Sequence, residues 1–291
     1  MRPILFSVHL GRDWPIRSYG FMLMLAFVVG IVWAIREGRR KGVASEVIID
    51  CSLWVLLSSV LFARLFFIVL DWSEYAGKWS EWYKLWEGGL SFHGGLFGAV
   101  LAGVLFAWKR GLPFGLLTDV LTPSIPLGYA IARVGCFLNG CCHGVPTSLP
   151  WGVRFLARPA LLGRELTPPS HPTQLYASIA SLIVFGIILL LRDRVRVPGQ
   201  LFGTYLAIYG LQRFIIEFWR AGASATTVGA LGGLTEAQIA SFALAVAAAG
   251  AVIYLNRRGR AAAAEPVEAE ASPEPQPATT EASTRRRRTH R

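Results

Sequence analysis

The chain has 291 residues, of which 53% are hydrophobic and 16% charged, with a mean hydropathy of +0.45. Soluble domains carry about 25% charged residues, and the apolar residues here come in blocks of membrane-spanning length, which excludes a soluble globular fold. The alternating strands of an outer-membrane barrel are absent, and the net charge of +11 gathers in connections and in the tail, as suits membrane orientation and anionic lipid rather than nucleic acid.

Residues 1–17 read as a short polar and aromatic lead-in, with no cleavable signal peptide. Tyr19 to Ile35 is the first predicted span and ends in Arg36, Arg39, Arg40 and Lys41. Val47 to Leu70 is the second and carries Arg64. Asp71 to Glu87 is rich in tryptophan (Trp72, Trp79, Trp82, Trp86), a residue that favours the bilayer interface. Leu90 to Trp108 is the third span, closed by Lys109 and Arg110, and Leu116 to Leu138 is the fourth. In the long polar connection Asn139 to Ser170, Pro146, Pro150, Pro159, Pro168 and Pro169 argue against a continuous helix and for a small extramembrane head. Pro172 to Leu191 is the fifth span, followed by Arg192, Arg194 and Arg196. Gly199 to Trp219 is the sixth, Ala221 to Gly233 is a loop without Lys or Arg, and Ile239 to Leu255 is the seventh, followed by Arg257, Arg258 and Arg260.

The expected fold is therefore all-α and polytopic, with about seven transmembrane helices. Residues 1–260 form the membrane domain, with 139–170 as a periplasmic head, and 261–291 form a disordered cytoplasmic tail with a basic end. The short connections after spans one, three and five, and the segment after span seven, hold most of the basic residues. The positive-inside bias then sets the N-terminus outside and the C-terminus in the cytoplasm.

Several polar groups interrupt these apolar runs: Arg64, the stretch Ser91 to Gly95, the stretch Arg133 to Gly144, and Arg213 with Glu217 and Arg220. Ionisable groups inside a membrane default to a functional role, and these are expected to converge on one cavity that handles an anionic lipid head group. The arginine fork suits phosphate oxygens and stays charged at low dielectric. Arg213 fits either a phosphate contact or a structural pair with Glu217 one turn later. Arg133 lies beside glycines with no acid nearby in sequence, which favours a ligand role. Arg220, closer to the outer interface, is explained by snorkelling.

His93 is a candidate general base or a structural hydrogen-bonding group. His171 suits capping and packing at the start of span five, and Tyr19 either anchors at the interface or donates to a head group. Cys136, Cys141, Cys142 and His143 are poorly spaced for structural zinc, because adjacent cysteines rarely share one ion; no metal is expected. Small buried thiols, or a pair that oxidises in an oxidising compartment, are the alternatives.

Six motifs in order resemble the bacterial prolipoprotein diacylglyceryl transferases over residues of about 15 to 255. They are Arg17-Ser-Tyr19-Gly20; Arg64; Trp86-Glu-Gly-Gly-Leu-Ser-Phe-His93-Gly-Gly95; Arg133-Val-Gly135-Cys-Phe137-Leu-Asn139-Gly140 with Gly144; His171-Pro-Thr-Gln-Leu-Tyr176; and Tyr209-Gly-Leu-Gln-Arg213-Phe-Ile-Ile-Glu217-Phe-Trp-Arg220. The resemblance implies seven spans, an inner-membrane location with a periplasmic N-terminus, and no cofactor or metal. It also implies transfer of the diacylglyceryl group of phosphatidylglycerol to the lipobox cysteine thiol of a preprolipoprotein, releasing glycerol 1-phosphate. It assigns Arg133 and Arg213 to the phosphate and His93 to the thiol proton. Tyr19, Asn139 and Gly144 then shape the head-group site, and Glu217 orients Arg213. The chain departs from the family pattern at Cys136, usually asparagine, at Cys141 and Ala177, each usually an acid, and after Arg220, where an acid is common and Ala221 stands. A relative that binds anionic head groups without chemistry is the alternative.

Overall fold

A bilayer leaves no water for backbone groups, so an apolar run must satisfy its hydrogen bonds internally and forms helix. The computed structural model describes residues 4–9, 13–85, 88–156, 166–221 and 233–264. Among these the helices are α1 (Ser18–Arg40), α2 (Ser45–Leu70), α3 (Trp72–Tyr75), α4 (Phe92–Lys109), α5 (Phe114–Leu121), α6 (Ser124–Asn139), α7 (Thr173–Leu191), α8 (Gln200–Glu217) and α9 (Glu236–Ala264). A two-stranded antiparallel hairpin, β1 (Ile4–His9) and β2 (Asp13–Arg17), precedes α1. The regular elements among the described residues are thus all helical apart from this ribbon, to which the sequence reading assigned no strands.

Five helices (α1, α2, α4, α7, α9) are long and apolar enough to cross a membrane, and α5 with α6 makes a sixth candidate, bent by 41°. Helix is expected without interruption from Leu116 to Leu138. Pro123 and Pro126 lack the amide hydrogens that would continue the ladder, and the break falls there. Helix α8 stands where the sixth span is expected. It carries Gln200, Gln212, Arg213 and Glu217, and it packs between α7 and α9.

Without a hydrophobic drive between helices in lipid, close backbone approach holds a bundle together. Gly94, Gly98 and Ala102 form a buried small-residue stripe on α4 that lies against α2. A Cβ added at Gly98 would come within 2.5 Å of the Ser58 carbonyl oxygen, and Ser58 Oγ donates to Gly98 O at 2.9 Å. The start of α8 is capped from outside: buried Asp119 on α5 accepts from the amides of Gly199 (2.9 Å) and Phe202 (3.0 Å).

The charged ends collect on one side. Buried Glu37, in the last turns of α1, accepts from Arg192 after α7 at 2.7 Å, and Arg40 pairs with Asp193 at 2.8 Å. Arg110, after α4, pairs with Asp50 on α2 at 2.6 Å. Helix α7 runs from that side to the opposite one, a length of about 28 Å at 1.5 Å per residue. Helix α9 continues to Ala264, past the expected domain boundary at residue 260. Residues 265–291, with the tail expected there to be disordered, lie outside the described residues.

The proline-rich head has no helix among its described residues. It is tied by isolated bridges, Pro146 with Ser170, Val153 with Ser170, and Leu156 with Leu166, around fully buried Phe155.

Candidate functional site

Helices α6 and α8 each place a tyrosine one turn before an arginine, Tyr129 before Arg133 and Tyr209 before Arg213. The i, i+4 spacing sets each pair on one helix face. The faces meet, with the Tyr129 and Tyr209 rings edge to face at 5.9 Å. Between them lies a narrow cavity lined by Tyr129, Arg133, Cys142, Tyr209, Arg213 and Arg220, with Thr173, Ala177, Gln212 and Ile216 completing its wall.

Charge in this cavity is unbalanced. Arg213 Nη1 donates to the carboxylate of Glu217, one turn further along α8, and Arg220 Nε lies 3.6 Å from the same oxygen. The Glu217 side chain is wholly buried. Arg133 has no carboxylate partner among the described residues; its guanidinium sits 4.6 Å from the centre of the Tyr129 ring. Two of the three arginines therefore share one carboxylate, and Arg133 has none among the described residues. Arg220 Nε and Glu217 Oε1 are buried without a hydrogen-bond partner among the described residues. A buried donor without an acceptor costs about 1–3 kcal/mol, more if charged, so the arrangement favours an incoming anion.

The wall nearest Cys142 is built by the turn after α6. Gly140 ends that helix in the left-handed region at φ 79°, and Cys142 is left-handed too at φ 63°. Two side chains at the start of α7 hold the turn: Gln174 Nε2 donates to Cys141 O at 2.7 Å and Thr173 Oγ1 to Cys142 O at 2.9 Å. Gly144 N then donates to His171 O at 2.8 Å and Val145 N to Trp219 O at 3.0 Å. Gly144 and Arg220 thereby form an antiparallel bridge, which draws Arg220 to the cavity. Only glycine fits, because a Cβ at Gly144 would overlap the Trp219 carbonyl oxygen and lie 2.8 Å from His171 Cβ and Thr173 Cγ2.

The Sγ atoms of Cys136, Cys141 and Cys142 lie within 4.8 Å of one another, and all three thiols are free. The Cys142 thiol, outside the spans, sits well below its ordinary value. Hydrogen bonds from the Cys136 and Cys141 thiols favour its anion most, and Arg220 and Arg133 add to this against the cost of burial.

An apolar recess of about 450 Å³ adjoins the cavity through Ile216, lined by Leu149, Trp151, His171, Tyr176, Ala180 and Trp219. Its polar edge is the Tyr176 hydroxyl, which accepts from Trp151 Nε1 at 2.8 Å and shares a hydrogen bond with His171 Nδ1 at 3.1 Å.

Arg133, Arg213 and Glu217 are thus together, and Gly144 shapes the wall. Tyr19, at the start of α1, lies against α6 and not in the cavity lining: a Cβ at Gly135 would lie 3.5 Å from Tyr19 Cα. Asn139 ends α6 outside the cavity lining. His93 is exposed near the N-terminus of α4, edge to face with Phe92, and does not line the cavity.

Arg64 does not reach the cavity. Its guanidinium is buried among the carbonyls of Glu81 (2.6 Å), Trp82 (2.9 Å), Gly88 (2.9 Å) and Gly89 (3.0 Å), where it holds the Trp-rich connection in place. Arg220, expected to snorkel, turns inward. Tyr129 escaped the sequence reading, and Thr173, Tyr209 and Gln212 stood in its motifs without a site role; for the tyrosines, the signal was a ring one turn before each arginine.

Residues 3–254 match the family model described as prolipoprotein diacylglyceryl transferase. The chain belongs to the prolipoprotein diacylglyceryl transferase family. It is 36% identical over 242 residues to the phosphatidylglycerol–prolipoprotein diacylglyceryl transferase of Geobacillus kaustophilus, covering 82% of this chain and 87% of that protein. The enzyme of the same name from Clostridioides difficile is 32% identical over 239 residues, covering 82% and 90%. That from Trichormus variabilis is 35% identical over 240 residues, covering 78% and 80%. Like the rest of the family, this diacylglyceryl transferase is a multi-pass membrane protein.

Proposed function

We propose that the protein transfers the diacylglyceryl group of phosphatidylglycerol to the lipobox cysteine thiol of preprolipoproteins, with glycerol 1-phosphate as the leaving group. The observation that carries this is the cluster of Arg133, Arg213 and Arg220 around one cavity with a single carboxylate between them. A phosphodiester supplies the missing negative charge and the acceptor for Arg220 Nε.

In the reaction the substrate thiolate attacks the glyceryl methylene next to the phosphate. The carbon–sulfur bond forms as the carbon–oxygen bond breaks, and the electron pair passes to the phosphate oxygen. Arg133 and Arg213 stabilise the charge that grows there, more strongly in this cavity than in water. Glu217 holds Arg213 in place, and Gly144 delivers Arg220. The neighbouring apolar recess takes apolar parts of the substrates. His93 is a base for the thiol only when the peptide spans from the start of α4 to the arginines. His93→Gln tests that role.

We count helix α8 as a seventh span, a reading supported by its 18 residues packed between α7 and α9. The basic ends of α1, α4 and α7 then face the cytoplasm, the cavity and the 139–170 head face the periplasm of the inner membrane, and the segment from residue 261 is cytoplasmic.

The test is to incubate purified protein with a lipobox peptide and phosphatidylglycerol, and to weigh the peptide. A diacylglyceryl mass gain on the cysteine, absent with phosphatidylcholine, is expected. Binding of phosphatidylglycerol without any mass gain would leave a head-group-binding relative instead.

A further inference from the structure

We infer that Cys136, Cys141 and Cys142 form a three-sulfur site for one thiophilic metal ion of the zinc class, at the edge of the arginine cavity. Adjacent cysteines on an extended chain point to opposite sides, which is why the sequence spacing speaks against a shared ion. The structure removes that objection. Among the described residues Cys142 is the one non-glycine with positive φ, at 63°, and this turn brings its sulfur to the same side as that of Cys141. Cys141 N donates to Cys136 O at 3.2 Å, which folds the segment back onto the last turn of α6.

Left-handed backbone at a residue with a Cβ costs on the order of 1–3 kcal/mol, and an observed outlier of this kind is a pointer to function. Here it is held in place: Thr173 and Gln174 fix the carbonyls of Cys142 and Cys141 at 2.9 and 2.7 Å. The strained turn yields three converging sulfurs, all within 4.8 Å of one another. Zinc–sulfur bonds of about 2.3 Å require sulfurs about 3.8 Å apart in a tetrahedron, so the cluster need contract only slightly. A disulfide would use two of the sulfurs and strand the third.

The charge also fits. Three thiolates and a divalent ion carry one net negative charge, and Arg133 and Arg220 line the cavity that Cys142 enters. His143 is no fourth ligand from the same turn. Its ring stacks on Phe155 at 4.9 Å, and its Nδ1 faces Gly144 O at 3.1 Å. Three protein ligands leave the fourth tetrahedral position to water. The site does not depend on transfer of a diacylglyceryl group.

The test uses reduced full-length protein in detergent, stripped with a chelator and titrated with cadmium. The sulfur-to-cadmium charge-transfer absorption should saturate at one equivalent and be competed by zinc. It should be lost in Cys136→Ser, Cys141→Ser and Cys142→Ser, and kept in Cys51→Ser, whose thiol is buried on α2. A second readout uses the wild-type protein alone: cadmium should protect these three thiols from alkylation, as mapped by peptide mass. No saturable absorption, alkylation unchanged by cadmium, or a disulfide among the three in freshly isolated protein would each overturn the inference.

Discussion

Gly144→Ala isolates the contact that closes the cavity wall. The added Cβ would overlap the Trp219 carbonyl oxygen and lie 2.8 Å from both His171 Cβ and Thr173 Cγ2. Ordinary contact begins near 3.4 Å, so the segments must part by at least about 0.6 Å. Overpacking of this kind costs about 1–3 kcal/mol. The two hydrogen bonds that flank the bridge, Gly144 N to His171 O and Val145 N to Trp219 O, lie in the segments that move, and Arg220 moves with them. A displacement approaching 1 Å at a charge-stabilising group costs about 100-fold in rate. The variant is therefore expected to keep its helix content and lose about 100-fold in transfer to a lipobox peptide, measured by peptide mass. Gly186→Ala, on α7 with no atom within 4 Å of the added Cβ, is the control and should keep full activity. Activity of Gly144→Ala within two-fold of wild type would refute the reasoning.

Three further outcomes follow from the charged groups and the tail. Glu217→Gln removes the one carboxylate that Arg213 and Arg220 share, at a cost of about 3–5 kcal/mol for uncompensated buried charge. Its melting temperature should fall, and phosphatidylglycerol should raise it more than in wild type; an equal rise in both would count against an anion site. Arg64→Leu strips four carbonyls of their donor and should cost at least about 3 kcal/mol, with new proteolysis between Gly77 and Gly89. An unchanged digest would contradict the anchoring role. Deletion after Arg260 should leave transfer intact in the peptide-mass assay, and loss of activity would show that the tail contributes.

Membrane helices were readable because each must satisfy its own backbone, so composition and length alone mark α1, α2, α4, α7 and α9. Helix α8 was placed correctly in order, but it carries the polar residues of the cavity and blends in hydropathy with a connection. The strands Ile4–His9 and Asp13–Arg17 were invisible because two strands this short leave little pattern. Arg133, Arg213 and Glu217 stood out, since charge in an apolar run is conspicuous. What those charges face was not written in their spacing. Arg64 is consumed by carbonyls 17 to 25 residues further along the chain, whereas Arg220 turns inward through a bridge to Gly144. The thiol cluster was hidden by one backbone angle, since nothing in a Cys-Cys pair announces a left-handed second residue. His93, prominent in its glycine-flanked motif, lies outside the cavity it was expected to serve.

The claim at the centre is that Arg133, free of any described carboxylate, waits for the phosphate of the lipid. The direct measurement replaces Arg133 with alanine and weighs a lipobox peptide after incubation with phosphatidylglycerol. The account predicts a protein of normal helix content that adds no diacylglyceryl mass to the cysteine. A rate of mass gain near that of wild type would contradict it.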